Sequence, residues 1–332
     1  AAWAQVPPPG EIRSPSEIDG SALSGQAQQE TTPGAPNTNA SNTTKALIRE
    51  LDNLIPGDFE PGSPQEQAIA QVVAAFQARQ ADQVVKLLEA EVKAHPDYPP
   101  VDVLLAALSY STNDDNTGLL LLERASKNFP DDPAVFSAFA RLAINTRRTT
   151  DAKVLFEKLR SVVESQSGTL TEEASKFYTS QYLDGLIDVA LTQNRLDDAE
   201  TLLQQQRAQL PDHPKVLMVS AELEFRRKQI DKCLEYLRAM KEKFPQTRTP
   251  EAVLASWYQR TGDQTGAATW IKKAADTYPS DPQVQLEFAN WAINQEDFPS
   301  ALEAIKRAED ATQETPLSRT LKAKVSFARQ SY

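Results

Sequence analysis

Cysteine occurs once in the 332 residues, at Cys233, and histidine twice, at His95 and His213. A lone cysteine excludes an internal disulfide, so no covalent staple holds the fold. Zinc needs several His, Cys or carboxylate ligands at close spacing. Two histidines far apart, each beside a proline, do not supply them, and no metal site is expected. The same scarcity leaves no serine, threonine or cysteine beside an oriented base, so no catalytic residue is assigned. Glycine is sparse as well, at 11 residues. Gly262 and Gly266 are too far apart for a Gly-x-Gly turn and no Gly-Lys-Ser/Thr occurs, so neither a nucleotide nor any other cofactor is expected.

Positive charge is in deficit: 35 Lys and Arg stand against 46 Asp and Glu, a net charge of −11. Phosphate backbones are held by clustered basic side chains, so nucleic acid is excluded as a main partner. Long apolar runs are missing too. The most apolar stretches are Val101 to Leu108 and Leu119 to Leu122, far below the roughly 18 residues of a membrane-spanning helix. Ala2-Trp3-Ala4 before Gln5 has the small-x-small form of a signal-peptidase site, without the charged and apolar parts of a signal. Export to a periplasmic or extracellular location is therefore expected, with the cytoplasm as the alternative.

What the chain does contain is a period. Val84, Gly118 and Ala152, then Ala199, Cys233, Ala267 and Ala301, follow at 34-residue steps broken by one interval of 47. Four residues after each marker stands a bulky apolar residue: Leu88, Leu122, Phe156, Leu203, Leu237, Ile271 and Ile305. Each such pair shares one helical face. Twelve positions after the marker come Pro96, Pro130, Pro211, Pro245 and Pro279, which end one helix and precede the next. Twelve positions before it stand Ala106, Ala140, Ala221, Ala255 and Ala289, with Val72 and Ile187 in the other two units. Two small positions let two helices approach closely in most units. Cys233 fills a marker position and so reads as a buried hydrophobe rather than a reactive thiol.

By this period, the two small positions, the large apolar residue and the terminal proline, residues from about Ser63 to Thr312 resemble the tetratricopeptide repeat in seven units. The family's tryptophan near the unit start and its glycine are absent. The resemblance implies an all-α fold, an α-α superhelix of about seven helical hairpins, with the first helix of each lining a concave groove. Members that grip a terminal carboxylate carry Lys and Asn on neighbouring first helices. Here Ile69, Val73 and Leu104 stand at those places, so a receptor for a chaperone tail is not expected.

Residues 1–62 are rich in Pro, Ser, Thr, Asn and Gln and read as a disordered or tether segment. Within them, Leu47, Leu51, Leu54 and Ile55 predict a short amphipathic helix over 45–55, which either docks on the first repeat or meets a partner. The solenoid spans 63–332. It opens at Ser63-Pro64-Gln65-Glu66, a capping box, and similar starts follow at Asp132-Pro133, Thr249-Pro250, Asp281-Pro282 and Thr315-Pro316. An insertion near 160–175 contains a loop and a second capping box, Thr169 with Glu172. A capping helix near 316–330 carries the stripe Leu317, Leu321, Val325 and Ala328.

Unit phase points Arg141, Asn145, Asp184, Asp188, Glu222, Arg226, Ser256, Arg260, Asn290 and Asn294 into the groove, with Ile144, Phe225 and Ile293 adding apolar area. A polar surface of mixed sign suits an extended peptide or a partner helix. Trp257 and Trp291 hold equivalent places in consecutive units and predict an aromatic ladder between them, or a stacking platform if both rings are exposed. The expected function is therefore a non-enzymatic scaffold binding a protein or peptide partner. The alternatives are an accessory domain positioning a catalytic partner, as one subunit of a larger envelope or enzyme complex, and a self-assembling structural subunit.

Overall fold

Proline lacks the amide hydrogen that the first turn of a helix leaves unused, which makes it a ready starter of helices. The computed structural model describes residues 38–57 and 62–330, and the described residues form sixteen α-helices and no strand. After α1 (Thr38–Asp52) come seven hairpins: α2 (Pro64–Gln77) with α3 (Ala81–Ala94), α4 (Val101–Ser111) with α5 (Asp115–Asn128), and α6 (Pro133–Asn145) with α7 (Thr149–Ser165). The series continues with α8 (Glu172–Thr192) and α9 (Leu196–Gln209), α10 (Pro214–Arg226) and α11 (Ile230–Lys243), α12 (Pro250–Arg260) and α13 (Gln264–Thr277), and α14 (Pro282–Asn294) and α15 (Phe298–Thr312). A last helix, α16 (Pro316–Gln330), follows the seventh hairpin. Residues 1–37 and 58–61, most of the tether expected over 1–62, lie outside the described residues. The described residues from Ala46 onward form one unit, and 38–45 belong to another.

Capping decides where these helices begin. Ser63 Oγ accepts from the Glu66 amide at 3.1 Å, and the Glu66 carboxylate accepts from the Gly62 amide at 2.6 Å. Asp132, Asp281, Asp114, Asp263 and Asp297 accept in the same way from the first amides of α6, α14, α5, α13 and α15. Two starts differ from the expected chemistry. The cap of α8 is Thr171, whose Oγ1 accepts from the Ala174 amide at 3.2 Å, while Thr169 sits in the preceding turn and donates to the Gln166 carbonyl. Thr249 makes no side-chain cap, and its Oγ1 is buried without a partner. At α10 the cap is His213, whose Nδ1 accepts from the Lys215 amide at 3.3 Å.

Each turn inside a hairpin contains one residue in the left-handed region: Arg79, Asn113, Arg147, Asn194, Lys228, Gly262 and Glu296, with φ between 56° and 82°. These lie five positions before the markers, so the turn repeats with the array. Only Gly262 is a glycine there, and an L side chain in this region costs about 1–2 kcal/mol.

Packing follows the small positions. The markers from Val84 to Ala301 are buried, and so is every large apolar residue four positions on. Fully burying one such side chain contributes roughly 2 kcal/mol. The buried side chains gather into successive clusters, each joining a hairpin to its neighbour: α4 to α8, then α8 to α10, α10 to α13, and α14 to α16. First helices also pack on the next first helix, α4 on α6 and α6 on α8. The fold is thus an all-α helical-repeat superhelix whose core is a chain of interfaces. Much of the extra length of the 47-residue interval lengthens helices: α7 has 17 residues and α8 has 21. In α16, Leu321 and Val325 are buried against α14 and α15, whereas Leu317 and Phe327 are 54% and 75% exposed. Among the described residues no helix is long and apolar enough to cross a membrane.

Candidate partner-binding face

The ten residues that unit phase assigned to the groove lie on the first helices α6, α8, α10, α12 and α14, and Asp184 of α8 is bonded to Gln206 of its own second helix, α9. The structure puts them to different uses along the array.

At the amino-terminal end this surface is covered. Leu47, Leu51, Leu54 and Ile55 are buried in one cluster with Ile69 and Val73 of α2 and Leu104 and Leu108 of α4. The α-helix stops at Asp52, and the chain then closes with the Leu54 and Ile55 amides donating to the Leu51 carbonyl. The Asn53 carbonyl is left facing the array and accepts from Arg141 Nη1 of α6 at 3.1 Å and from Gln181 Nε2 of α8 at 2.9 Å. Ser137 Oγ donates to Gln181 Oε1, which turns the amide nitrogen toward Asn53. Arg141 Nη2 lies 3.5 Å from Glu50 Oε2. Burial pulls the Arg141 guanidinium below its ordinary value, and Glu50 opposes the shift. Asn145, at the end of α6, is exposed.

In the middle of the array the polar residues satisfy one another. Asp184 accepts from Gln206 and Lys215. The Asp188 carboxyl is pushed up by burial and by Glu222 and Asp184, against Lys215 and Arg226. Glu222 Oε1 accepts from Arg226 Nε at 3.1 Å and Nη2 at 2.7 Å, and Arg226 Nη1 donates to the Leu191 carbonyl at 3.0 Å. That last bond ties α10 to the end of α8.

Toward the carboxyl end the face is open. Ser256 Oγ donates to its own helix at Val253. Arg260, Asn290 and Asn294 are exposed, and their side chains make no hydrogen bond or ion pair with any described residue. Of the apolar residues placed beside them, Phe225 is half-buried against Trp257 and Tyr258, at ring separations of 5.3 and 5.0 Å. Ile144 and Ile293 are half-buried against the core. The expected ladder between Trp257 and Trp291 is not formed: Trp257 is buried against Phe225, and Trp291 stacks on Phe288 of its own helix, with Lys272 over the ring.

Sequence reasoning missed Gln181, Glu50 and Asn53. Gln181 is one turn before Asp184 and therefore on the same face, which was the available signal. The Asn53 contact is made by a backbone carbonyl and has no side-chain signature. Cys233 is fully buried, and its thiol is pushed up to about 12 by burial and by Glu224. His95 stacks on Tyr98 at 4.7 Å, and among the described residues no three His, Cys, Asp or Glu side chains gather as metal ligands would.

The tetratricopeptide repeat family model matches residues 190–255, which run from the end of α8 into α12. Among solved structures, the chain is similar to PilW, a type IV pilus biogenesis factor, at 12% identity and a TM-score of 0.45, covering 75% of this chain and 98% of that one. A tetratricopeptide repeat protein from Parabacteroides merdae is 14% identical with a TM-score of 0.44, covering 79% and 98%. PilF of Pseudomonas aeruginosa is 13% identical with a TM-score of 0.43, covering 75% and 97%. No curated protein matches the sequence. The family match thus lies on residues 190–255, within an all-α fold in which the same helical hairpin recurs in seven successive units.

Proposed function

We propose that this chain is a non-catalytic scaffold that holds a protein partner in the groove formed by its first helices. Tetratricopeptide repeats in general bind proteins rather than perform chemistry. The observation that carries the reading here is the open stretch of Arg260, Asn290 and Asn294: three exposed polar side chains on two consecutive first helices, with every donor unused by the described chain. A guanidinium and two carboxamides in a row suit an extended acidic peptide, the guanidinium meeting a carboxylate and the amides meeting the peptide backbone. Location outside the cytoplasm fits the Ala2-Trp3-Ala4-Gln5 sequence and is checked by fractionating the native host.

The test compares partners co-purifying with the wild-type chain and with Arg226→Glu plus Arg260→Glu. An acidic partner is lost from the charge-reversed chain. Undiminished recovery removes the assignment. Arg260→Glu alone is the cleaner arm, because Arg226 also anchors the Leu191 carbonyl.

A further inference from the structure

Residues 46–57 touch the first helices of four consecutive hairpins: Ile69 of α2 and Leu104 of α4 through the apolar cluster, Arg141 of α6 and Gln181 of α8 through the Asn53 carbonyl. A segment that only sealed the open end of the array would cover α2 and stop. This one instead runs along the surface that a ligand of the array would use, and in the manner of a helix laid in a groove. Four apolar anchors at i, i+4, i+7 and i+8 enter the floor. The helix end, where carbonyls lack internal partners and the macrodipole is negative, meets a guanidinium and an amide.

We propose that residues 46–57 are an internal ligand, and that the first four hairpins accept in its place an amphipathic helix from another protein. The recognised helix carries four apolar anchors at the spacing of Leu47, Leu51, Leu54 and Ile55, an acidic residue directly before the second anchor as Glu50 stands before Leu51, and a terminus exposing carbonyls to Arg141 and Gln181. This rests on the reading of the first-helix face as the binding surface, and adds its ligand class and a competitor. Its contacts include the four buried anchors, the half-buried Ile48, the Asn53 carbonyl and an ion pair of 3.5 Å between two partly exposed groups. Opening exposes four buried apolar side chains at roughly 2 kcal/mol each. Tethering also gives the segment an effective concentration of about a millimolar, so an incoming helix binds weakly until the segment leaves.

The experiment uses the full chain and a fluorescein-labelled peptide of residues 46–57, read by fluorescence anisotropy. Leu51→Asp with Leu54→Asp releases the internal segment. The released chain is expected to bind the peptide at least about tenfold more tightly than wild type. Adding Arg141→Glu to the released chain should return binding to the weak level, and a peptide carrying Leu51→Asp should bind neither chain. A released chain that keeps its helical circular dichroism and still ignores the peptide overturns the proposal. Should the double substitution unfold the chain, Glu50→Arg carries the same test, since it changes one partly exposed side chain and sets it against Arg141. Peptide uptake then rises by roughly threefold, or the proposal fails. Failure here leaves the open stretch at Arg260 to Asn294 untouched, because charge reversal at Arg226 and Arg260 probes other hairpins.

Discussion

A Cβ built on Gly185 would lie 2.1 Å from the Phe156 ring, so α7 and α8 meet through an aromatic face laid on bare backbone. The contact joins the third hairpin to the fourth, at the one place where the repeat interval lengthens.

Gly185→Ala should therefore force the ring aside and destabilise the chain by about 1–3 kcal/mol, the usual range for overpacking. Phe156→Leu alone also destabilises, by removing buried area. Combined, the two should lose less than the sum of the single losses, because the smaller side chain makes room for the methyl group. Urea melts of the four chains measure the coupling, and strict additivity would contradict it.

The turn residues inside the hairpins make an opposite prediction. Lys228 holds φ 61° in the left-handed region, where glycine is at ease. Lys228→Gly should raise stability by about 0.5–1 kcal/mol, the relief of left-handed strain less the entropy glycine brings to the unfolded chain. Gly262→Ala at the matching turn should lower it by about 1 kcal/mol. Thermal melts read both signs.

These turns also mark how far the sequence can be read. The period, the prolines and the capping residues together place all seven hairpins, because they are local signals that recur along the array. First helices end a residue or two sooner than the apolar pattern runs, because Arg79, Arg147 and Lys228 adopt a conformation that only Gly262 advertises. For the binding face, phase alone selects first-helix positions such as Arg260 and Asn290. It does not reveal that Arg141 is already engaged, since its acceptor is the backbone of Asn53, 88 residues earlier. Nor does it show the Trp257 ring turning to Phe225 rather than to Trp291, a choice made by packing between hairpins.

Cys233 gives a pH prediction. Its thiol is pushed from 9.0 to about 12 in the folded chain, so the unfolded chain ionises first as the pH rises. The stabilising contribution is complete below pH 9 and is lost between about pH 9 and 12, at no more than about 1.4 kcal/mol per pH unit. Cys233→Ala should flatten that alkaline decline. In the wild-type chain at pH 8.5, iodoacetamide should label Cys233 at least about a hundredfold more slowly in the native state than in urea, followed by mass spectrometry. Rapid native labelling would contradict a buried, protonated thiol.

The central claim is that a protein partner lies on the first helices, and site-specific photocrosslinking in the native host tests it most directly. A crosslinking residue placed at Asn290, exposed on α14, is compared with one at Glu235, exposed on α11, a second helix. The account predicts a discrete crosslinked protein from position 290 and little from position 235. A partner captured equally from both, or from 235 alone, would contradict it.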